Sequence, residues 1–201
     1  MTVVKVQAPN IQTVAFSVTG TAPLMTARFA NKAALMAKMA EKAAPGKKAV
    51  REARDYEAEA EASAYIFEDG SFGFPAAAVR AAMISACRLV GFKMTIAKLS
   101  LFVHADGYDK RDYTPLIKID QGYVVDTRHV RNATGVVDIR ARPLYLPGWT
   151  SQIKIDYDAD QFSQMDITNL LMRAGHQVGL CEGRPDSKSS AGLGFGTFAL
   201  A

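Results

Sequence analysis

The residues of this 201-residue chain best suited to chemistry are glycines and cations, not a nucleophile or an acid–base pair. Near the end, Gly192-Leu193-Gly194-Phe195-Gly196-Thr197-Phe198 alternates glycine with apolar residues and leads into a terminal strand. Bare backbone at such positions lets a polyanion or a neighbouring chain approach closely. Cations are clustered. Between Arg28 and Arg54 there are eight basic residues (Arg28, Lys32, Lys38, Lys42, Lys47, Lys48, Arg51, Arg54) against two acids, and Asp55 to Glu61 then carries four acids. Lys110, Arg111, Arg128, Arg131, Arg140 and Arg142 form a second basic group. Both groups have the sign and density of a polyanion grip or of a solvated face.

Acid–base chemistry has weaker support. His104, His129 and His176 are scattered, with no paired nucleophile and no HxxxH spacing. His129, flanked by Arg128 and Arg131, is the one whose neighbours resemble a phosphate site. Asp156, Asp158, Asp160 and Asp166 imitate a cation loop but lack its glycine and terminal glutamate, so a solvated turn is expected. Gly192-Leu193-Gly194 precedes a strand rather than a helix, which excludes a dinucleotide fingerprint. No cofactor or metal is expected.

Composition bounds the class. A 49% hydrophobic chain of this length supports one domain with a sizeable core. No run of eighteen apolar residues spans a membrane, and Met1 to Val6 lacks the layout of a secretory signal. Cys87 and Cys181 have no metal or redox spacing and read as reduced thiols of a cytoplasmic protein. The net charge of +4 is mild, so distribution matters more than sum.

The elements that must position these residues follow from periodicity. Ile11 to Val18 alternates as a half-buried strand. Ala27 to Ala64 is rich in alanine, lysine and glutamate, broken at Pro45-Gly46, and reads as a weakly packed helical arm. Tyr65-Ile66-Phe67 and Asp69-Gly70-Ser71 predict a short strand and a tight turn. A helix starts at Pro75 and stops near Gly91. Ile96 to His104 reads as a strand, and residues 105 to 150 as irregular with short strands such as Val136 to Ile139. Ser151 to Tyr157 is a strand, Ser163 to Asp166 a capping box opening a helix closed at Gly175, and Phe195 to Leu200 the last strand. Strand, helix, strand, strand, helix, strand is the βαββαβ ferredoxin-like (RRM-like) order of an α+β fold. The core occupies about 11–18, 75–104 and 151–201, with a basic helical insertion at about 19–64 and a second at about 105–150.

Three segments give this order a family resemblance. Thr21-Ala22-Pro23-Leu24-Met25-Thr26 follows the first strand, Phe74-Pro75-Ala76-Ala77-Ala78-Val79-Arg80 precedes and opens the first core helix, and Ala191 to Gly196 is a glycine-rich loop. Together they resemble the RAMP superfamily, the RNA-binding subunits that form the backbone of CRISPR effector complexes. The chain departs from that pattern where alanines replace serines after Pro75. Its compactness resembles small stand-alone members of phages and prophages.

The resemblance implies a non-catalytic protein that binds single-stranded nucleic acid and multimerises along it. Within that reading DNA is set slightly ahead of RNA, because a stand-alone member has more use for it. The expected contacts are Arg28, Lys32, Lys38, Lys42, Lys47, Lys48, Arg80, Arg128, Arg131, Arg140, Gly192, Gly194 and Gly196, with Arg80 meeting a phosphate at its helix start. Tyr108, Tyr113, Tyr123 or Trp149 would stack on bases. The partners are single-stranded nucleic acid and further copies of the chain, with no membrane. Two alternatives stand beside this one. The first is a metal-independent RNA endonuclease with His129 as base. The second is a phage factor that engages a host protein or a small nucleotide.

Overall fold

The computed structural model describes residues 7–28, 54–131, 137–187 and 192–201. Its core sheet holds β1 (Ile11–Gly20), β5 (Leu101–Val103), β10 (Thr150–Asp158) and β11 (Phe198–Leu200) in the order β11-β1-β10-β5, every neighbouring pair antiparallel. Two helical crossovers link these strands. One contains α2 (Ala76–Ala86) and the other α4 (Gln164–Arg173). This is the ferredoxin-like topology of an α+β fold, and all four expected core strands share one sheet.

The sheet's two faces follow from its alternation. Val14, Phe16 and Val18 lie opposite Ile155, Ile153 and Ser151, and the apolar members of this set pack against α2 and α4. Thr13, Ala15 and Ser17, opposite Asp156, Lys154 and Gln152, face outward. The period of two thus divides core from solvent within single strands.

Ile96 to His104 is not one strand. Met94–Ser100 forms helix α3, and only Leu101–Val103 is extended as β5. Ala97, Ser100 and Leu101 are buried while Leu99 is exposed, a helical burial spacing that the apolar run conceals. The carbonyls at the end of α3 find a partner far away in sequence: Arg80 donates to Leu101 O at 2.8 Å and to Lys98 O. The capping box of α4 is present, with Ser163 and Asp166 bonded reciprocally. Gly175 does not close that helix, however. The chain continues through a π-turn (Ala174–Val178) to Gly179 at φ +74. Gly175 instead allows a close approach, since a Cβ there would stand 2.3 Å from Phe198 O.

Residues 105 to 150, expected to be irregular with short strands such as Val136 to Ile139, supply longer strands to two further sheets. β2 (Leu24–Met25), β9 (Val137–Tyr145) and β8 (Val124–Arg131) form one. β3 (Tyr65–Ile66), β4 (Phe72–Pro75), β7 (Pro115–Ile119) and β6 (Gly107–Tyr108) form the other. β8–β9, β3–β4 and β6–β7 are local pairs, whereas β2–β9 and β4–β7 join segments distant in sequence, so local pattern did not announce which strands share a sheet. The acidic end of the expected arm is helix α1 (Tyr56–Ser63), capped by Asp55 and packed on the β8–β9 hairpin. Ala60 and Ala64 are fully buried, and Arg54 bridges Glu59 and Asp138 at 2.8 Å each. This part of the arm is docked rather than weakly packed.

Candidate nucleic-acid interface

The three sequence segments converge on Trp149. Its indole is fully buried, its Nε1 donates to Ala22 O at 3.0 Å, and Phe74 and Phe198 lie edge-on or tilted at 6.1 and 6.4 Å. Gly20 lies against the ring, where a Cβ would stand 2.0 Å from Nε1. Trp149 is therefore a core plug and not a base-stacking platform. Its burial and its satisfied N–H are the usual state of an interior tryptophan.

The glycine loop is held from both sides of the chain. Gly196 N–H donates to Pro23 O at 2.7 Å and Leu180 N–H donates to Gly196 O at 2.9 Å. Thr21 N–H reaches Thr197 O at 2.9 Å, and the two threonine hydroxyls meet at 2.9 Å. Leu193 and Phe195 N–H groups both donate to Gly183 O. Gly192, Gly194 and Gly196 have φ of +69, +74 and +70, which explains why glycine recurs at every second position. Their roles differ. A Cβ on Gly196 would meet Leu180 O at 2.0 Å, whereas a Cβ on Gly194 would meet nothing within 4 Å. Gly194 opens to solvent and Gly196 is locked inside.

The β8–β9 hairpin brings cations to this loop. The Arg128 guanidinium lies 4.8 Å from the ring centroid of Phe195 and pairs with Asp126 at 2.5 Å. Arg128 stands opposite Arg140 in the ladder, and Asp126 opposite Arg142, so all four share one face. Arg142 sits 3.5 Å from Glu182, and burial pulls its guanidinium below the ordinary arginine range while Glu182 opposes that shift. The stacking of Phe195 on Arg128 was not anticipated. The G-F-G spacing, which leaves the one aromatic ring of residues 192–196 between two glycines, was the available signal.

The other expected residues are placed as follows. Arg28 is nearly buried, with its side chain 12% exposed, and binds Asp112 at 2.8 Å and Asp109 at 3.6 Å. It anchors the root of the insertion instead of lining an open surface. Arg80 is bonded to the end of α3 and stacks 5.9 Å from the Phe102 ring, so its cation does not serve its own helix start. Lys32, Lys38, Lys42, Lys47 and Lys48 lie outside the described residues, as does the side chain of Arg131. His129 is exposed on β8 opposite Ile139, on the face away from Arg128. His104 pairs with Asp156, which lies on the outward sheet face, at 2.7 Å. Tyr123 packs edge-on to Phe72 at 5.0 Å, while Tyr108 and Tyr113 are exposed. Among the described residues no group of three or more His, Cys, Asp or Glu could hold a metal, and no helix is long and apolar enough to cross a membrane.

Topology and surface together define an α+β protein with a ferredoxin-like core and a cationic hairpin against a glycine loop. No family model and no curated protein matches the sequence. Solved structures do match, among them the cryo-EM structure of the Type III-B Cmr-beta bound to cognate target RNA, with a TM-score of 0.51 and 12% identity. The similarity covers 96% of this chain and 59% of that chain. It is a likeness of fold, and the fold is the one that the RAMP resemblance implies.

Proposed function

We propose that this protein binds single-stranded nucleic acid without cleaving it and lines up in several copies along the strand. The observation that carries this reading is the contact of Arg128 with Phe195 of the glycine loop, beside the open Gly194 backbone and on the hairpin face that also carries Arg140 and Arg142. Phosphates approach the bare backbone, and the arginines neutralise them with release of counterions. RNA is the proposed ligand ahead of DNA, because the structural neighbour is described as bound to target RNA. This reverses the order expected of a stand-alone member. Nothing on this surface resembles a base-reading helix, so binding is sequence-tolerant.

Fluorescence anisotropy against single-stranded RNA, single-stranded DNA and duplex, with a salt titration, tests the reading. Tight binding to single strands that weakens steeply with salt is expected, with end-labelled RNA remaining intact. Absence of binding to every ligand at low salt ends it. RNA cleavage that disappears in His129→Ala would replace it with the endonuclease reading.

A further inference from the structure

The turn between β6 and β7 is built more firmly than an exposed loop requires. Asp109 has a fully buried side chain that accepts from Ile66 N–H at 3.0 Å and Arg111 N–H at 2.9 Å, and it pairs with Arg28 and Arg111. Its own N–H donates to Thr114 O at 2.9 Å, and Lys110 N–H donates to Ile66 O at 3.0 Å. Asp112 accepts from the Thr114 N–H at 3.1 Å and hydroxyl at 2.7 Å. Tyr113 N–H donates to Asp109 O at 3.0 Å, so every residue from 109 to 114 is tied into one network.

On this base stand two aromatic rings that the fold does not use. Tyr108 is 58% and Tyr113 76% exposed. Tyr113 also holds φ +57, a left-handed conformation that a bulky residue adopts only at a cost, and here no burial of its ring offsets that cost. A glycine would fit the backbone better. Strain kept at an exposed aromatic, over a rigid base, is the pattern of a preorganised contact.

We infer that Tyr108 and Tyr113 form a stacking platform for unpaired bases of a bound single strand, a contact separate from the glycine loop. The inference rests on the function proposed above. Nucleic acid fits the turn better than protein does. Lys110, exposed between the two tyrosines, supplies a cation for the backbone, and the same ion cluster holds Arg28, where the chain enters its most basic stretch. Stacking on tyrosine is open to any base, in keeping with sequence-tolerant binding.

Tyr108→Ala and Tyr113→Ala, singly and together, are measured against a single-stranded RNA and the same strand with abasic positions. Each variant should bind the intact strand about tenfold more weakly, the loss expected for one stacked base, with an unchanged salt slope. Affinity for the abasic strand should not change. Tyr113→Trp should retain binding. Tyr113→Gly should melt no lower than the parent while binding as weakly as Tyr113→Ala. If the parent binds RNA and the double variant binds it equally well, the platform is wrong while the proposed function stands. If the parent binds no nucleic acid, both fall. If the double variant instead loses self-association with its affinity intact, the turn is a protein contact and the inference is overturned.

Discussion

Alanine at Gly196 and at Gly194 probes two glycines that share a backbone conformation and differ in surroundings. Both have φ near +70, so any L-residue costs about 1–2 kcal/mol there. At Gly194 that is the whole cost, because a Cβ meets nothing within 4 Å. At Gly196 the Cβ falls 2.0 Å from Leu180 O and 2.6 Å from Leu180 N, both backbone atoms that no rotamer change can move. Relieving the contact must separate the loop from Leu180, breaking the bonds that Gly196 makes to Leu180 and Pro23. Each is worth about 1 kcal/mol and leaves groups needing new partners. The expected loss for Gly196→Ala is at least about 4 kcal/mol, a large part of the 5–15 kcal/mol that holds a typical domain. Urea denaturation with free m-values measures this, and anisotropy with single-stranded RNA measures binding. Gly194→Ala should stay folded and bind about tenfold more weakly, as loss of one phosphate contact of roughly 1.4 kcal/mol would give. Equal destabilisation by the two substitutions, or a Gly196→Ala loss below about 2 kcal/mol, would refute the division into a structural and a ligand-facing glycine.

Asp109→Asn should destabilise by about 3–5 kcal/mol in urea titrations, because it leaves Arg28 and Arg111 without their buried partner. Burial alone would raise the Asp109 carboxyl, but bonds from Arg111 and Ile66 hold it below the ordinary value. Its stabilisation is therefore complete above about pH 3.9 and is lost as pH falls through the lower folded value. Below pH 4 the parent should lose stability more steeply than the variant; parallel curves would contradict this. Trp149→Phe should cost about 2–4 kcal/mol by calorimetry, through a cavity and an unpaired Ala22 carbonyl. Arg128→Ala and Arg140→Ala should each reduce the salt slope of RNA binding by about one unit; an unchanged slope would remove the hairpin from the interface.

Local signals determined much of this protein. Alternation marked β1 and β10, Ser163 and Asp166 marked the start of α4, and the order of periodic segments gave the ferredoxin-like core, because each of these depends on residues a few positions apart. The glycine alternation was legible for the same reason: a left-handed backbone at every second position demands that residue type. Tertiary structure decided what pairs with what. Arg80 looked like a phosphate ligand and instead caps α3, since an arginine bonds whichever carbonyls the fold brings within reach. Arg28 looked like the first cation of a grip and became the partner of a buried carboxylate. The run from Ile96 to His104 split into helix and strand because Arg80 and the core, not its own pattern, settle where Ala97, Ser100 and Leu101 are buried. The division between Gly194 and Gly196 was invisible in sequence, because it depends on Leu180, a residue sixteen positions from Gly196 that only folding places against it.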